Sequence, residues 1–192
     1  MVAVAEAEPR TEPRPSALGV GTVIWLSSEL MFFSGLFAAY FTLRSASAAW
    51  PPEGVELATV RTALATVVLV ASSATMHGAV KAAERGDRRG AVRWLAVTAG
   101  LALVFLANQG LEYAEATFTM SSHAYGSIFF LMTGFHGLHL IGGVLFMVAV
   151  MGVVGGRGSR APAGAIVEVC GYYWHFVDVV WVAMFATIYL VR

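Results

Sequence analysis

Five long apolar runs, separated by short polar stretches, set the pattern of the chain. They cover about Leu18–Leu43, Thr59–Val80, Ala91–Tyr113, Tyr125–Val154 and Ala165–Val191. Each reaches the roughly 20 residues that a helix needs to cross the hydrocarbon of a bilayer. The pattern predicts an all-α membrane protein, a bundle of five transmembrane helices. Residues Met1–Ala17 are rich in Pro, Glu and Arg and contain no apolar run, so they read as a polar N-terminal tail. They lack the apolar core of a signal peptide. Residues 18–192 then form one membrane domain, with no tandem repeat and no room for a separate soluble domain.

Composition agrees with the pattern. The 192 residues are 58% hydrophobic and 12% charged, about half the charge usual in a soluble domain. The net charge is zero, which removes the polybasic signature of a nucleic-acid partner. Cys170 is the single cysteine, so neither an intrachain disulfide nor a multi-cysteine cluster is available; it reads as a small buried apolar residue.

The basic residues orient the bundle. With a cytoplasmic N-terminus, the inner side holds Arg10, Arg14, Lys81, Arg85, Arg88, Arg89, Arg93, Arg157 and Arg160, and the outer side Arg44, Arg61 and Arg192. The C-terminus then lies outside. The connections are short. "WPPEGVEL" joins a proline pair to the interfacial Trp50, and "AERGDRRG" and "GGRGSRAPAG" are basic, glycine-rich turns.

Ionisable groups at membrane depth are costly, so each is a candidate for function. Glu29 lies near mid-membrane in "WLSSELMFFSGLFAAYF", between Trp25 and the pair Phe32–Phe33. It reads either as a proton-exchanging or lipid-anchoring carboxyl, or as a structural acid bonded to Ser27, Ser28 or a partner helix. His136 and His139 share a face of the fourth helix among Gly134, Gly137, Gly142 and Gly143, small residues that permit close helix approach. Metal or haem ligation would need further central histidines. Only His175 shares their depth, because His123 falls at the outer interface and His77 near the inner end. Hydrogen bonding across a tight helix interface, or to a lipid headgroup, is therefore the favoured reading. On the fifth helix, Glu168, Tyr172 and His175 lie within roughly 60° of one another, and Asp178 continues the stripe on a slightly rotated face. An acid at that depth calls for a partner, a histidine on the same or a facing helix. His136, His139 and His175 all lie at similar depth, and such a contact serves more often as a structural clasp than as a proton wire. Glu112 and Glu115, with Gln109 one turn deeper, read as a solvated patch or as acids bonded to loop backbone. No nucleophile–base pair, phosphate-cradling loop or redox cluster is present in the sequence pattern.

Three segments then carry a resemblance. "SSELMFFSGLFAAYF", "QGLEYAEATFTMSSHAYGSIFFLMTGFHGLHLIGG" and "YYWHFVDVVW" together resemble subunit III of the haem–copper oxidases, over about Leu18–Arg192. The resemblance is to the short, five-helix bacterial form, in which the first two of the family's seven helices are missing and the N-terminus stays cytoplasmic. It implies a haem-free and copper-free subunit of a proton-pumping cytochrome c oxidase, the complex that reduces O2 to water in aerobic respiration. In that family subunit III packs on subunit I, binds phospholipid in a cleft between its helices and supports proton uptake and sustained turnover. Haem a and copper would sit in partner subunits. The resemblance further implies partners in subunits I and II, small accessory subunits and membrane lipids, a possible supercomplex with a cytochrome bc complex, and a place in the bacterial plasma membrane.

By position in the matching segments, Glu29, Glu168, His136, His139, His175 and Asp178 become the buried polar residues tied to protons or lipid. Trp25, Phe32, Phe33 and Trp174 become the aromatics that pack on acyl chains. Trp25 stands where the family commonly has phenylalanine. The missing helices form one wall of the lipid cleft in longer members, leaving it open here or closed by another subunit. Quinol-type members tend to carry Asp in place of Glu29 and to lack Glu168 and "LEYAEA", so the chain reads on the cytochrome c side. A quinol oxidase subunit, a small proton-coupled transporter using Glu29 and Asp178, and a b-type haem protein are the competing readings.

Overall fold

The computed structural model describes residues 17–156 and 162–191. The tail before Ala17, with Arg10 and Arg14, lies outside the described residues, as do Arg157, Arg160 and Arg192. Five helices follow the five apolar runs: α1 Ala17–Ser45, α2 Thr59–Glu84, α3 Arg88–Glu115, α4 Ala124–Gly155 and α5 Ala163–Phe185. A π-helical turn, Ala186–Leu190, continues α5. All five are long and apolar enough to cross a membrane. Helices are the expected solution there, because every interior backbone N–H and C=O is satisfied within its own segment.

Each helix overruns its apolar run by one to several residues, for local reasons. At the end of α2, "KAAE" continues the helix with good helix formers up to Gly86, whose φ of +76° turns the chain. Asp87 then caps α3 by accepting from the Gly90 N–H. At the other end of the bundle, His123 caps α4: its Nδ1 accepts from the Gly126 N–H at 2.8 Å. The histidine expected at the interface is thus a helix cap.

Helices α2, α3, α4 and α5 form a closed ring in which each packs on its two neighbours, and α1 leans into the groove between α4 and α5. The ring encloses the core, with Leu69 and Met76 of α2, Leu95 and Phe105 of α3, Met132, Leu140 and Met147 of α4, and Trp174 and Trp181 of α5 all at 1% exposure or less. Helix α1 buries only Thr22, Phe33 and Tyr40 along its 29 residues.

Candidate functional site

The α1–α4–α5 cleft gathers five of the candidates. On α1, Trp25, Glu29 and Phe33 recur at four-residue spacing and so lie on one stripe. The Trp25 indole stacks on Tyr173 of α5, with ring centroids 5.3 Å apart and planes within 4°. One turn on, the Glu29 carboxyl meets Nε2 of His139 at 3.1 Å. The next turn places Phe33 edge-on to the His139 ring at 5.0 Å, while Phe32 packs on Phe135 at 4.9 Å. Ser27 and Ser28 turn back to the α1 carbonyls of Val23 and Trp25, which leaves the partner-helix alternative for Glu29 as the one observed.

The hydrogen-bond pattern fixes where protons can sit. His139 Nδ1 lies 2.7 Å from the Phe135 carbonyl. A carbonyl oxygen only accepts, so Nδ1 carries a hydrogen. A single further proton then joins Nε2 to Glu29, as a carboxylic acid donating to imidazole or as an imidazolium donating to carboxylate. Either way the pair is neutral overall, the form in which two ionisable groups persist at membrane depth. Tyr173 completes the cleft by donating to the His139 carbonyl at 2.8 Å.

A second polar group ties α2 to α5. His175 Nδ1 lies 3.0 Å from Ser73 Oγ, and the Ser73 hydroxyl donates to Asp178 Oδ2. A serine hydroxyl has one hydrogen, so with that hydrogen on Asp178 the oxygen accepts from His175. The three side chains form a relay from imidazole through hydroxyl to carboxylate. The histidine–aspartate clasp expected between helices is thus routed through Ser73, and the histidine that takes part is on the same helix as the aspartate. Asp178 is 5% exposed, and its Oδ1 has no hydrogen-bond partner among the described residues. It borders a groove of about 450 Å³ lined otherwise by Val70, Val179, Val182, Ala183 and Ala186, together with Ser73 and His175.

Trp174 and His136 hold other ground. The Trp174 indole is fully buried, donates to Ser72 Oγ at 2.9 Å and lies against Gly143. A Cβ at Gly143 would come within 3.0 Å of that ring, so glycine is what lets α4 and α5 approach. His136 is 1% exposed, with its ring 4.9 Å from Trp181 and 6.2 Å from Phe105. Neither of its nitrogens has a hydrogen-bond partner among the described residues, contrary to the expected bond across the interface. The reason is rotation: three residues on a helix turn a side chain roughly 60° from its neighbour, so His139 meets α1 while His136 enters the aromatic interior of the ring. Among the described residues, no three His, Cys, Asp or Glu side chains converge as metal ligands do.

The structure divides the expected α5 stripe. Tyr172 donates to Glu168 at 2.6 Å and both are exposed, whereas further along the helix His175 is half-buried and Asp178 buried. Glu168 is therefore the exposed one among the polar candidates. Of the two acids at the end of α3, Glu112 reverses the expected solvation and Glu115 keeps it. Glu112 is 4% exposed and accepts from Tyr189 at 2.8 Å and from Thr62 at 3.3 Å. Glu115 pairs with Arg61 at 2.6 Å on the rim. Sequence reading also missed Ser73, Tyr40 and Tyr173. Tyr40 donates to the Thr187 carbonyl at 3.0 Å, and its signal was its place on the same α1 stripe as Glu29 and Phe33.

With this arrangement of helices and polar contacts described, comparison with known proteins decides the family. Residues 9–191 match the family model for cytochrome c oxidase subunit III. The chain belongs to the cytochrome c oxidase subunit III family. A protein from Nocardia farcinica named probable cytochrome c oxidase subunit 3 is 50% identical over 185 residues, covering 93% of this chain and 90% of its own. The cytochrome c oxidase subunit 3 of Corynebacterium diphtheriae is 44% identical over 187 residues, with the same coverage. That of Synechocystis is 37% identical over 172 residues, 88% of this chain and 74% of its own. Members of the family are subunits III of haem–copper oxidases, which places this chain in a membrane-bound oxidase complex of respiratory electron transport.

Proposed function

We propose that the chain is the haem-free structural subunit of a proton-pumping cytochrome c oxidase. It packs on the redox subunits I and II, holds phospholipid along the α1–α4–α5 cleft and sustains proton uptake by subunit I. The redox centres, haem a and copper, belong to the partner subunits. The observation that carries this reading is the α2–α5 groove. It is apolar along its length and holds one buried carboxylate oxygen, Asp178 Oδ1, that no described residue satisfies. A buried polar atom left without a partner costs about 1–3 kcal/mol, so a neighbouring transmembrane segment that offers a donor there gains both packing and a hydrogen bond. The exposed aromatics Trp25 and Phe32 beside the neutral Glu29–His139 pair support acyl chains along the cleft, with a polar anchor set behind them.

The excess of basic residues at the end that carries the α2–α3 turn supports a cytoplasmic position for that end, in a bacterial plasma membrane. Accessory subunits and a supercomplex with a cytochrome bc complex fit the same role. The test is a pull-down of this chain in mild detergent, with optical spectra and identification of the proteins that accompany it. Haem a absorption and a large copper-containing subunit, both lost when the chain is stripped off, are the expected result. A stable, colourless, solitary chain overturns the reading.

A further inference from the structure

The start of α3 and the end of α4 border a groove of about 440 Å³, within the roughly 300–1,000 Å³ range of ordinary ligand sites. It is lined by Arg88, Arg89 and Arg93 from the first turns of α3, by Val92 between them, and by Val154, Gly155 and Gly156 from the end of α4. Arg88 is fastened to the wall, donating to the Val154 carbonyl at 3.3 Å. Arg89 and Arg93 are exposed one helical turn apart, and among the described residues neither is paired with a carboxylate. The nearest acid, Asp87, has one carboxylate oxygen engaged by the Gly90 N–H of the cap.

The surface below the groove changes character in step with membrane depth. Arg89, Arg93, Val97, Gly100 and Val104 follow one another at helical spacing of three and four residues, and all are exposed. They form a single stripe on α3. It is cationic at the end of the helix and apolar beyond, with Val97 and Val104 about half exposed. A ligand that lies along this stripe carries an anionic group at the interface and a hydrocarbon tail toward the bilayer centre. Planar guanidinium groups in a pair suit a phosphate, which accepts two parallel hydrogen bonds from each. Basic pockets between transmembrane helices at a membrane interface bind anionic headgroups on the same grounds.

We propose that the α3–α4 groove is a binding site for the phosphate headgroup of an anionic phospholipid, distinct from the α1–α4–α5 cleft. Arg89 and Arg93 grip the phosphate, Arg88 lines the wall and the Val97–Val104 stripe carries the first acyl chain. The proposal rests on the membrane-spanning reading of the chain and not on the catalytic role of its partners.

The test uses the intact membrane complex purified in mild detergent. Native mass spectrometry counts bound phosphatidylglycerol in the unmodified complex and in the Arg89→Gln/Arg93→Gln variant, with phosphatidylcholine and inorganic phosphate as separate probes. The expected result is a phosphatidylglycerol retained by the unmodified complex and held roughly 30-fold less tightly by the double variant, at about fivefold per arginine. Phosphatidylcholine does not replace it. The single variant Arg93→Gln gives an intermediate loss and keeps the test open if the double variant does not assemble. Arg85→Gln, outside the groove, changes nothing. Equal retention by all forms overturns the proposal. Saturation by inorganic phosphate with no lipid retained assigns the arginines to a free anion and overturns the lipid assignment. The same spectra report whether haem-bearing subunits are present, so failure of the oxidase reading registers separately from failure of the lipid site.

Discussion

Helix α1 and the α2–α5 ring are held by different means. The ring is closed by shape: Trp174 against Gly143, Trp181 against Phe105 at 4.7 Å, and Met76, Leu95 and Met147 with no exposed surface. Helix α1 is attached along one stripe by a few directed contacts. These are Trp25 on Tyr173, Glu29 on His139, Tyr40 on the Thr187 carbonyl and Arg44 on the Val191 carbonyl at 2.7 Å. In lipid, apolar surface gains little by leaving its surroundings, so tight packing and interhelical hydrogen bonds decide which helices stay together. The comparison separates two kinds of cohesion, one spread through a packed interior and one concentrated along a single line of contacts. Loss in the first should damage the whole fold, and loss in the second should free one helix.

The largest expected effect lies in the ring. Trp174→Ala removes one of the two largest fully buried side chains together with its bond to Ser72, and should cost about 3–5 kcal/mol, as large aromatic truncations do. Thermal unfolding of the purified complex checks it. A loss no larger than that of Trp25→Ala would erase the distinction between ring and α1. Next comes Asp178→Leu, which removes the end of the Ser73 relay and the buried, unpartnered oxygen of a residue that borders the groove. Assembly should weaken by about 1–3 kcal/mol, while oxygen consumption per haem of the assembled fraction stays unchanged. Normal subunit ratios in the variant would count against this.

Glu29→Ala is smaller and local. An interhelical hydrogen bond in a membrane is worth about 0.6 kcal/mol on average and about 1.7 at most. Hydrogen exchange should therefore rise in α1 and leave α2–α5 as before. Faster exchange throughout would show that α1 supports the ring. The smallest effect is expected at Arg61→Gln, on the exposed pair with Glu115. Exposed ion pairs contribute about 0–1 kcal/mol, so any loss should disappear at high salt. A loss that persists at high salt would mean that Arg61 also braces the buried Glu112.

The five spans are legible in the sequence, and Glu29, Asp178 and the fourth-helix histidines draw notice as candidates because polar groups stand out in apolar helices. Their partners are not. Glu29 meets a residue 110 positions away, and nothing in the local pattern specifies which helix will lie beside it. Ser73 passed unnoticed because serine in a membrane helix commonly bonds its own backbone, as Ser27, Ser28 and Ser34 do here. Glu112 was misjudged for a related reason. Counting residues places it near the rim, but α3 continues past it, and Tyr189 and Thr62 close over it from two other helices. His136 and His139 were read as a pair, although three residues of helix send them to different neighbours.

The single-stripe attachment of α1 has a consequence for how the chain is made. Tyr40 and Arg44 wait for acceptors that lie 147 residues further along. At synthesis rates of about 5–20 residues per second, that interval is about 7–30 s. Helix α1 therefore completes its contacts only after the end of α5 has been made. Through that time Tyr40 and Arg44 lack these acceptors, and Glu29 stays without its histidine until the fourth helix has followed it into the membrane.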